Sequence, residues 1–225
     1  MNGEILLAED VPSSFVDVVR EAFTTRPGPV FALALSGGDT ARRCYEHLAA
    51  ALPAPWWTDI ELFWGDERCV PLDDADSNHA LAREALGPVF ATVRSVHPMD
   101  CSVGADPYDT LLRSRPALDL VHLGLGPDAH TASLFPGSPA LHAPAARLVV
   151  DNEDPHGTNP HRRMTLTYAG IARARSVVVT VEGAAKHEAM TRVIAGDPTA
   201  PAARIDADSL VWIVDRHALD APSPR

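Results

Sequence analysis

Short uninterrupted apolar runs alternate along this chain with stretches in which apolar residues return every three or four positions. The runs have strand length and lie at Glu4 to Ala8, Val30 to Leu35, Ile60 to Trp64, Leu118 to Leu123, Arg147 to Val150, Ser176 to Val181 and Leu210 to Val214. Arg162 to Thr167 differs, with Met164 and Leu166 alternating against Thr165 and Thr167 as in a strand with two unlike faces. Helical spacing joins Phe15, Val19, Ala22 and Phe23 after Pro12-Ser13-Ser14, and this helix should end near Arg26-Pro27-Gly28. The same spacing returns at Cys44, Leu48 and Leu52, and at Ala80, Leu81, Ala85 and Leu86 behind the capping residues of Asp73 to Asn78. It is present again from Asp106 to Arg115 and at Ala185, Ala189, Val193 and Ile194.

Strands buried on both faces and separated by helices predict a mainly parallel sheet with helices on both faces, a three-layer α/β fold. Val89 to Gly104 carries little pattern beyond a strand end or turn at His97 to Asp100. The polar loop Asn152 to Pro160 either borders a site or is mobile, and Ala221 to Arg225 reads as a frayed tail. No internal repeat or composition break divides the chain, so one domain over residues 1–225 is expected.

Composition narrows the function. With 225 residues, 46% of them hydrophobic, the chain can bury a sizeable core. A net charge of −11 repels nucleic acid and anionic membranes, so neither is an expected partner. No segment is apolar for long enough to span a bilayer, and the first ten residues lack the basic start of a signal peptide, which points to the cytoplasm. Cys44, Cys69 and Cys101 are odd in number and widely spaced, suggesting neither a disulfide framework nor a zinc site.

Candidate chemistry gathers where strands end. Val30 to Leu35 runs into Ser36-Gly37-Gly38-Asp39-Thr40 and then a helix, a strand–glycine–helix order that offers free N–H groups to an anion. The spacing is not that of a nucleotide motif, and an ordinary tight turn is the alternative. Ile60 to Trp64 is followed by Asp66-Glu67-Arg68. Arg68 suits a phosphate or carboxylate, and Asp66 or Glu67 a sugar hydroxyl; a solvated loop with local ion pairs is the plainer reading. Leu118 to Leu123 leads through Gly124 and Gly126 to Asp128-Ala129-His130. Lys186 opens a late helix, where a cation opposes the dipole unless it shares an anion there. Arg162 and Arg163 enter their strand where either could reach an anion. A parallel sheet would bring these strand ends to one edge.

These residues resemble the 6-phosphogluconolactonases, within the wider group that includes glucosamine-6-phosphate deaminases and isomerases. The matching segments are L-S-G-G-D-T from Leu35, D-E-R-C-V-P from Asp66, Ser77-Asn78, G-L-G-P-D-A-H-T-A-S-L-F-P-G from Gly124, R-M-T-L-T from Arg163 and E-G-A-A-K from Glu182. The resemblance implies a Rossmann-like, NagB-type fold and hydrolysis of 6-phosphoglucono-δ-lactone without a redox cofactor. No histidine or carboxylate cluster has metal-ligand spacing, so no metal is expected, and the expected assembly is a monomer or weak homodimer. On the lactonase reading His130 is the base that activates water, Asp128 orients its ring or helps shape the loop, and Arg68 or loop N–H groups serve the oxyanion. Ser36, Gly37, Gly38, Thr40, Asp66, Arg163 and Lys186 would bind the sugar phosphate. Two departures bear on loop shape: Ala129 stands where the family usually has glycine, and Asp39-Thr40-Ala41 replaces its S-T-P.

Two rival functions remain at this level, a deaminase or isomerase of the same fold and a non-catalytic sugar-phosphate sensor. The segment Thr131 to Phe135 differs from the H-I-A-F-N-E pattern of the deaminases, and no DNA-binding extension precedes the first strand. Among other reactive residues, His122 lies within an apolar strand and reads as a hydrogen-bonded sheet residue, and Cys69 lacks an activating base and reads as inert.

Overall fold

The computed structural model describes residues 1–220, so the expected frayed tail lies outside the described residues. Seven strands form one sheet, and every pairing within it is parallel. In chain order they begin with β1 (Glu4–Ala8), β2 (Phe31–Leu35) and β3 (Ile60–Trp64). Next comes β4 (Asp66–Arg68), which belongs to a second sheet, and then β5 (Ser95–Val96) and β6 (Leu120–Gly124). β7 (Val149–Asn152) and β8 (Arg163–Leu166) join β4, and β9 (Ser176–Val181) and β10 (Leu210–Asp215) return to the main sheet. The main sheet runs β1-β10-β9-β6-β2-β3-β5, and the second is antiparallel in the order β4-β8-β7.

The helices are α1 (Val11–Thr24), α2 (Asp39–Ala51), α3 (Asn78–Leu86), α4 (Ala105–Arg113), α5 (Tyr168–Ala172), α6 (His187–Ile194) and α7 (Arg216–Leu219). Right-handed crossovers decide which face each covers. The steps β1 to β2, β2 to β3 and β3 to β5 move one way along the sheet, placing α1, α2 and α3 together on one face, where they pack on each other. The steps from β5 back to β6 and from β9 to β10 move the other way and place α4 and α6 on the opposite face. Burial on both faces explains why β2 reads Phe-Ala-Leu-Ala-Leu with every residue buried. Only the edge differs: Ile5, Leu6 and Leu7 of β1 are exposed despite their apolar character.

Three features depart from the sequence expectation. Asp66 to Arg68 is a strand instead of a loop, because Asp66, Glu67 and Arg68 pair with Thr165, Met164 and Arg163 of β8. The alternation expected at Arg162 to Thr167 is therefore real but serves the small sheet. Lys186 lies in a single 3-10 turn, Ala184–Lys186, just ahead of α6. Cys69 and Cys101, expected to be unpaired, form a disulfide across a separation of 32 residues. Spacing along the chain did not reveal that the end of β4 and the loop after β5 meet in space.

That disulfide closes a loop containing α3 and β5, and it anchors the residue after Arg68. By loop-closure entropy, Cys101→Ser should lower unfolding free energy by about 4 kcal/mol, read as a lower urea midpoint, with a slope that steepens as the released unfolded chain expands. An unchanged midpoint would mean that the crosslink contributes no stability.

Candidate active site

Strands β2 and β6 are neighbours, yet the chain leaves β2 toward β3 and returns from β6 toward β9 on the other side. Such a reversal opens a crevice at the strands' carboxyl ends. The Ser36-Gly37-Gly38 turn after β2 and the Gly124 to His130 loop after β6 face each other across it. They line a cleft of about 230 Å³ together with Asp66, Arg68, Asn78, Asn159 and Lys186. Of the ten proposed site residues, Ser36, Gly37, Gly38, Asp66, Arg68, His130 and Lys186 thus meet in one space.

The other three are placed differently. Asp128 sits behind His130, and its carboxylate accepts from His130 Nδ1 at 2.5 Å and from the His130 backbone N–H at 3.1 Å. Burial alone would raise the Asp128 pKa, but these hydrogen bonds from His130 hold it below the usual carboxylate value. An ionised carboxylate only accepts, so Nδ1 of His130 carries the hydrogen of this contact, and in a neutral ring Nε2 is the nitrogen that bears the lone pair. Thr40 lines a smaller adjoining recess of about 100 Å³ with Asp39, Thr180 and Glu182, and Gly37, Gly38 and Lys186 border both spaces. Arg163 is buried, opposite Arg68 in the strand pair, and its Nε and Nη1 have no hydrogen-bond partner among the described residues. Burial lowers its pKa, and the nearby Asp66 works against that effect.

The walls are held by groups whose roles the sequence did not reveal. Asp66 accepts from the Ser133 hydroxyl at 2.6 Å, while Asn78 Nδ2 donates to the Asp66 carbonyl at 2.8 Å. Asn78 Oδ1 is buried without a partner, and a Cβ on Gly37 would lie only 1.9 Å from it. Glycine at 37 is thus a packing requirement. Glu67, proposed as a possible hydroxyl ligand, instead turns to the start of α3 and accepts from the N–H groups of Asn78 and His79 and from Ser77 Oγ. There its charge suits the helix dipole, although burial raises its pKa. Arg68 donates from Nη1 to the Asp76 carbonyl at 2.6 Å, which directs its guanidinium along the cleft rim.

Lys186 is half-buried in the cleft wall; burial lowers its pKa, opposed by Asp128 and Asp39. The loop Asn152 to Pro160 does border the site, through Asn159, whose backbone and side chain both donate to Asp154. Among the described residues, no three His, Cys, Asp or Glu side chains converge as a metal centre would need.

Ala129 takes the left-handed conformation that usually favours glycine, with φ 67°, and is fully buried. The loop therefore keeps a glycine-like backbone at a local cost of about 1–2 kcal/mol. The Ala129 carbonyl accepts from Ala202 N–H at 2.9 Å, one of the contacts that hold it there. Gly126 is indispensable in another way: its N–H donates to the His130 carbonyl, and a Cβ there would fall 2.2 Å from the His130 ring.

Residues 4–212 match the family described as glucosamine-6-phosphate isomerases/6-phosphogluconolactonase. A 6-phosphogluconolactonase of Synechocystis sp. is 41% identical over 83% of this chain and 82% of its own length. The 6-phosphogluconolactonase of Mycobacterium tuberculosis is 35% identical over 83% of each chain. Among solved structures, the 6-phosphogluconolactonase of Trypanosoma brucei superposes with a TM-score of 0.83 at 27% identity, covering 96% of this chain and 97% of that one. A monomeric glucosamine-6-phosphate deaminase, at 18% identity and a TM-score of 0.77, shares the fold.

Gly126→Ala should push the imidazole away from Asp128 while leaving the fold intact. NMR titration should then find the Asp128 carboxyl moved up from its depressed position, because burial remains and the His130 hydrogen bond is lost. An unmoved carboxyl would show that Gly126 does not set the ring's place.

Proposed function

The chain belongs to the family of glucosamine-6-phosphate isomerases and 6-phosphogluconolactonases, and from that premise we propose that it hydrolyses 6-phosphoglucono-δ-lactone to 6-phosphogluconate. The observation that carries the mechanism is His130, with Nδ1 committed to Asp128 at 2.5 Å, on the wall of a cleft that also holds cations and a glycine turn.

His130 Nε2 takes a proton from water as the water oxygen attacks the lactone carbonyl carbon. Negative charge then develops on the carbonyl oxygen, and Arg68 or loop N–H groups stabilise it. The bond between that carbon and the ring oxygen breaks, and the departing oxygen takes the proton back from His130. Asp128 keeps the imidazole in its productive tautomer and favours the transient imidazolium. The product carboxylic acid ionises, and the enzyme returns to its starting state.

The non-reacting phosphate is a handle that positions the carbonyl. Ser36, Gly37, Gly38 and Lys186 form its cradle, extended by Thr40 in the adjoining recess. Arg68 and Arg163 stand directly opposite each other across β4 and β8, a like-charge pairing that costs energy in an antiparallel pair. An anionic substrate offsets that repulsion, so Arg163 contributes to the field without lining the cleft. Asp66, on the cleft wall, accepts from a sugar hydroxyl. Concentrating cations here also overcomes the repulsion that a chain of charge −11 would present to a phosphate ester.

Purified protein should hydrolyse freshly prepared lactone well above the spontaneous rate; a rate no faster than spontaneous would sink the lactonase reading. His130→Ala should lower kcat by roughly 10²–10⁴-fold while 6-phosphogluconate still binds. Lys186→Ala should act mainly on KM, raising it about ten-fold or more through loss of a charge-assisted contact. Unchanged turnover in the histidine variant would remove His130 from its role.

A further inference from the structure

Beneath the Ser36 turn runs a buried line of polar side chains that none of the chemistry above uses. Thr180 Oγ1 lies 2.9 Å from His122 Nε2, and His122 Nδ1 lies 2.8 Å from the Tyr45 hydroxyl. The Tyr45 hydroxyl reaches both backbone polar groups of Ser36: the Ser36 N–H donates to it at 2.6 Å, and it donates to the Ser36 carbonyl at 3.1 Å. His122 and Tyr45 are fully buried, and Thr180 nearly so. Phe15 packs on the imidazole with ring centroids 4.4 Å apart. Burial pushes the His122 imidazole down to about 3 and the Tyr45 phenol well up, so both are neutral.

Four groups, from the turn after β2 and from α2, β6 and β9, are thereby tied into one line behind three adjacent strands. Such a line is costly to bury unless each member is satisfied. The two ends of this one are informative. Ser36 lines the main cleft, and Thr180 lines the adjoining recess beside Lys186.

We propose that Tyr45, His122 and Thr180 are positioning residues that aim the Gly37 N–H into the cleft as a fixed donor for the anionic end of the substrate. A trans peptide points its carbonyl and its following N–H to opposite sides. With the Ser36 carbonyl turned toward Tyr45 in the core, the Gly37 N–H turns away from the core, on the side where Gly37 lines the cleft. Glycine at 37 leaves this peptide otherwise free to rotate, so the turn needs an external restraint. Tyr45 supplies it, and His122 with Thr180 holds the hydroxyl in place. A donor held in advance binds the anion without having to be ordered at the moment of binding.

This inference rests on the lactonase reading for its kinetic test and on anion binding alone for a second. Tyr45→Phe should raise KM about ten-fold, the effect of one lost hydrogen bond on the cradle, with a much smaller fall in kcat. It should weaken inorganic phosphate, measured as a competitive inhibitor and by calorimetry, to a similar degree. A folded Tyr45→Phe protein that is less stable but has unchanged KM and phosphate affinity would overturn the proposal, because a merely structural tyrosine behaves that way. Should that variant fail to fold, Thr180→Val removes only the far hydroxyl; a KM and phosphate affinity equal to those of the wild type would then overturn it. If the wild type shows no lactonase activity, the lactonase reading falls separately, and phosphate calorimetry on the wild type and Tyr45→Phe still decides the positioning role.

Discussion

Adjacent parallel strands whose chains depart in opposite directions leave a gap that no crossover can fill. In this protein the gap lies between β2 and β6, and it sets the position of everything chemical. The turn after β2 supplies a glycine-rich backbone, and the loop after β6 supplies the imidazole. The end of β3 delivers Asp66 and Arg68 from one side, and the end of β9 delivers Lys186 from the other. No single element carries the site. It exists because the strand order brings four carboxyl ends together.

The small antiparallel sheet is the second organising part. Asp66 and Thr165 share a face of it, and both hold the segment just after His130: Asp66 through the Ser133 hydroxyl, and Thr165 through the Ser133 N–H at 3.1 Å. Asn152 of β7 adds a hydrogen bond to the Ser133 carbonyl at 2.7 Å. Three strands thus clamp one serine three residues beyond the imidazole. This clamp, with the packing of the ring edge against Phe135, lets an otherwise irregular loop hold a left-handed alanine. Local strain persists where surrounding contacts over-determine the backbone.

Electrostatically the site runs against the rest of the molecule. The chain is strongly acidic, yet the cleft collects Arg68 and Lys186, with Arg163 buried behind them. Glu67 shows how the sheet keeps a neighbouring carboxylate from cancelling that charge. Alternation along β4 turns it away from the face that carries Asp66 and Arg68, and the start of α3 takes it up. The motif Asp66-Glu67-Arg68 therefore sends two side chains to the cleft and one to the start of α3, a division that adjacency in sequence conceals.

Much of the fold is legible in the sequence, because strand and helix periods are written within a few neighbouring residues. The buried runs at Phe31–Leu35 and Ser176–Val181, the helix behind Ser77 and the loop carrying His130 follow from local pattern and turn chemistry alone. So does the family, whose motifs sit on those turns. Other features required the tertiary structure. They are the pairing of Cys69 with Cys101, the burial of Arg163, the diversion of Glu67, and the line from Thr180 to Ser36. Each depends on which residues meet across 30 to 60 or more positions of chain, or on which face a register turns outward. Periodicity carries no information about either. For the loop carrying His130, the sequence alone determined that an acid and an imidazole stand two residues apart. Only the tertiary structure holds that pair in place, through the close packing of Gly126 against the ring and the bonds that three other strands make to Ser133.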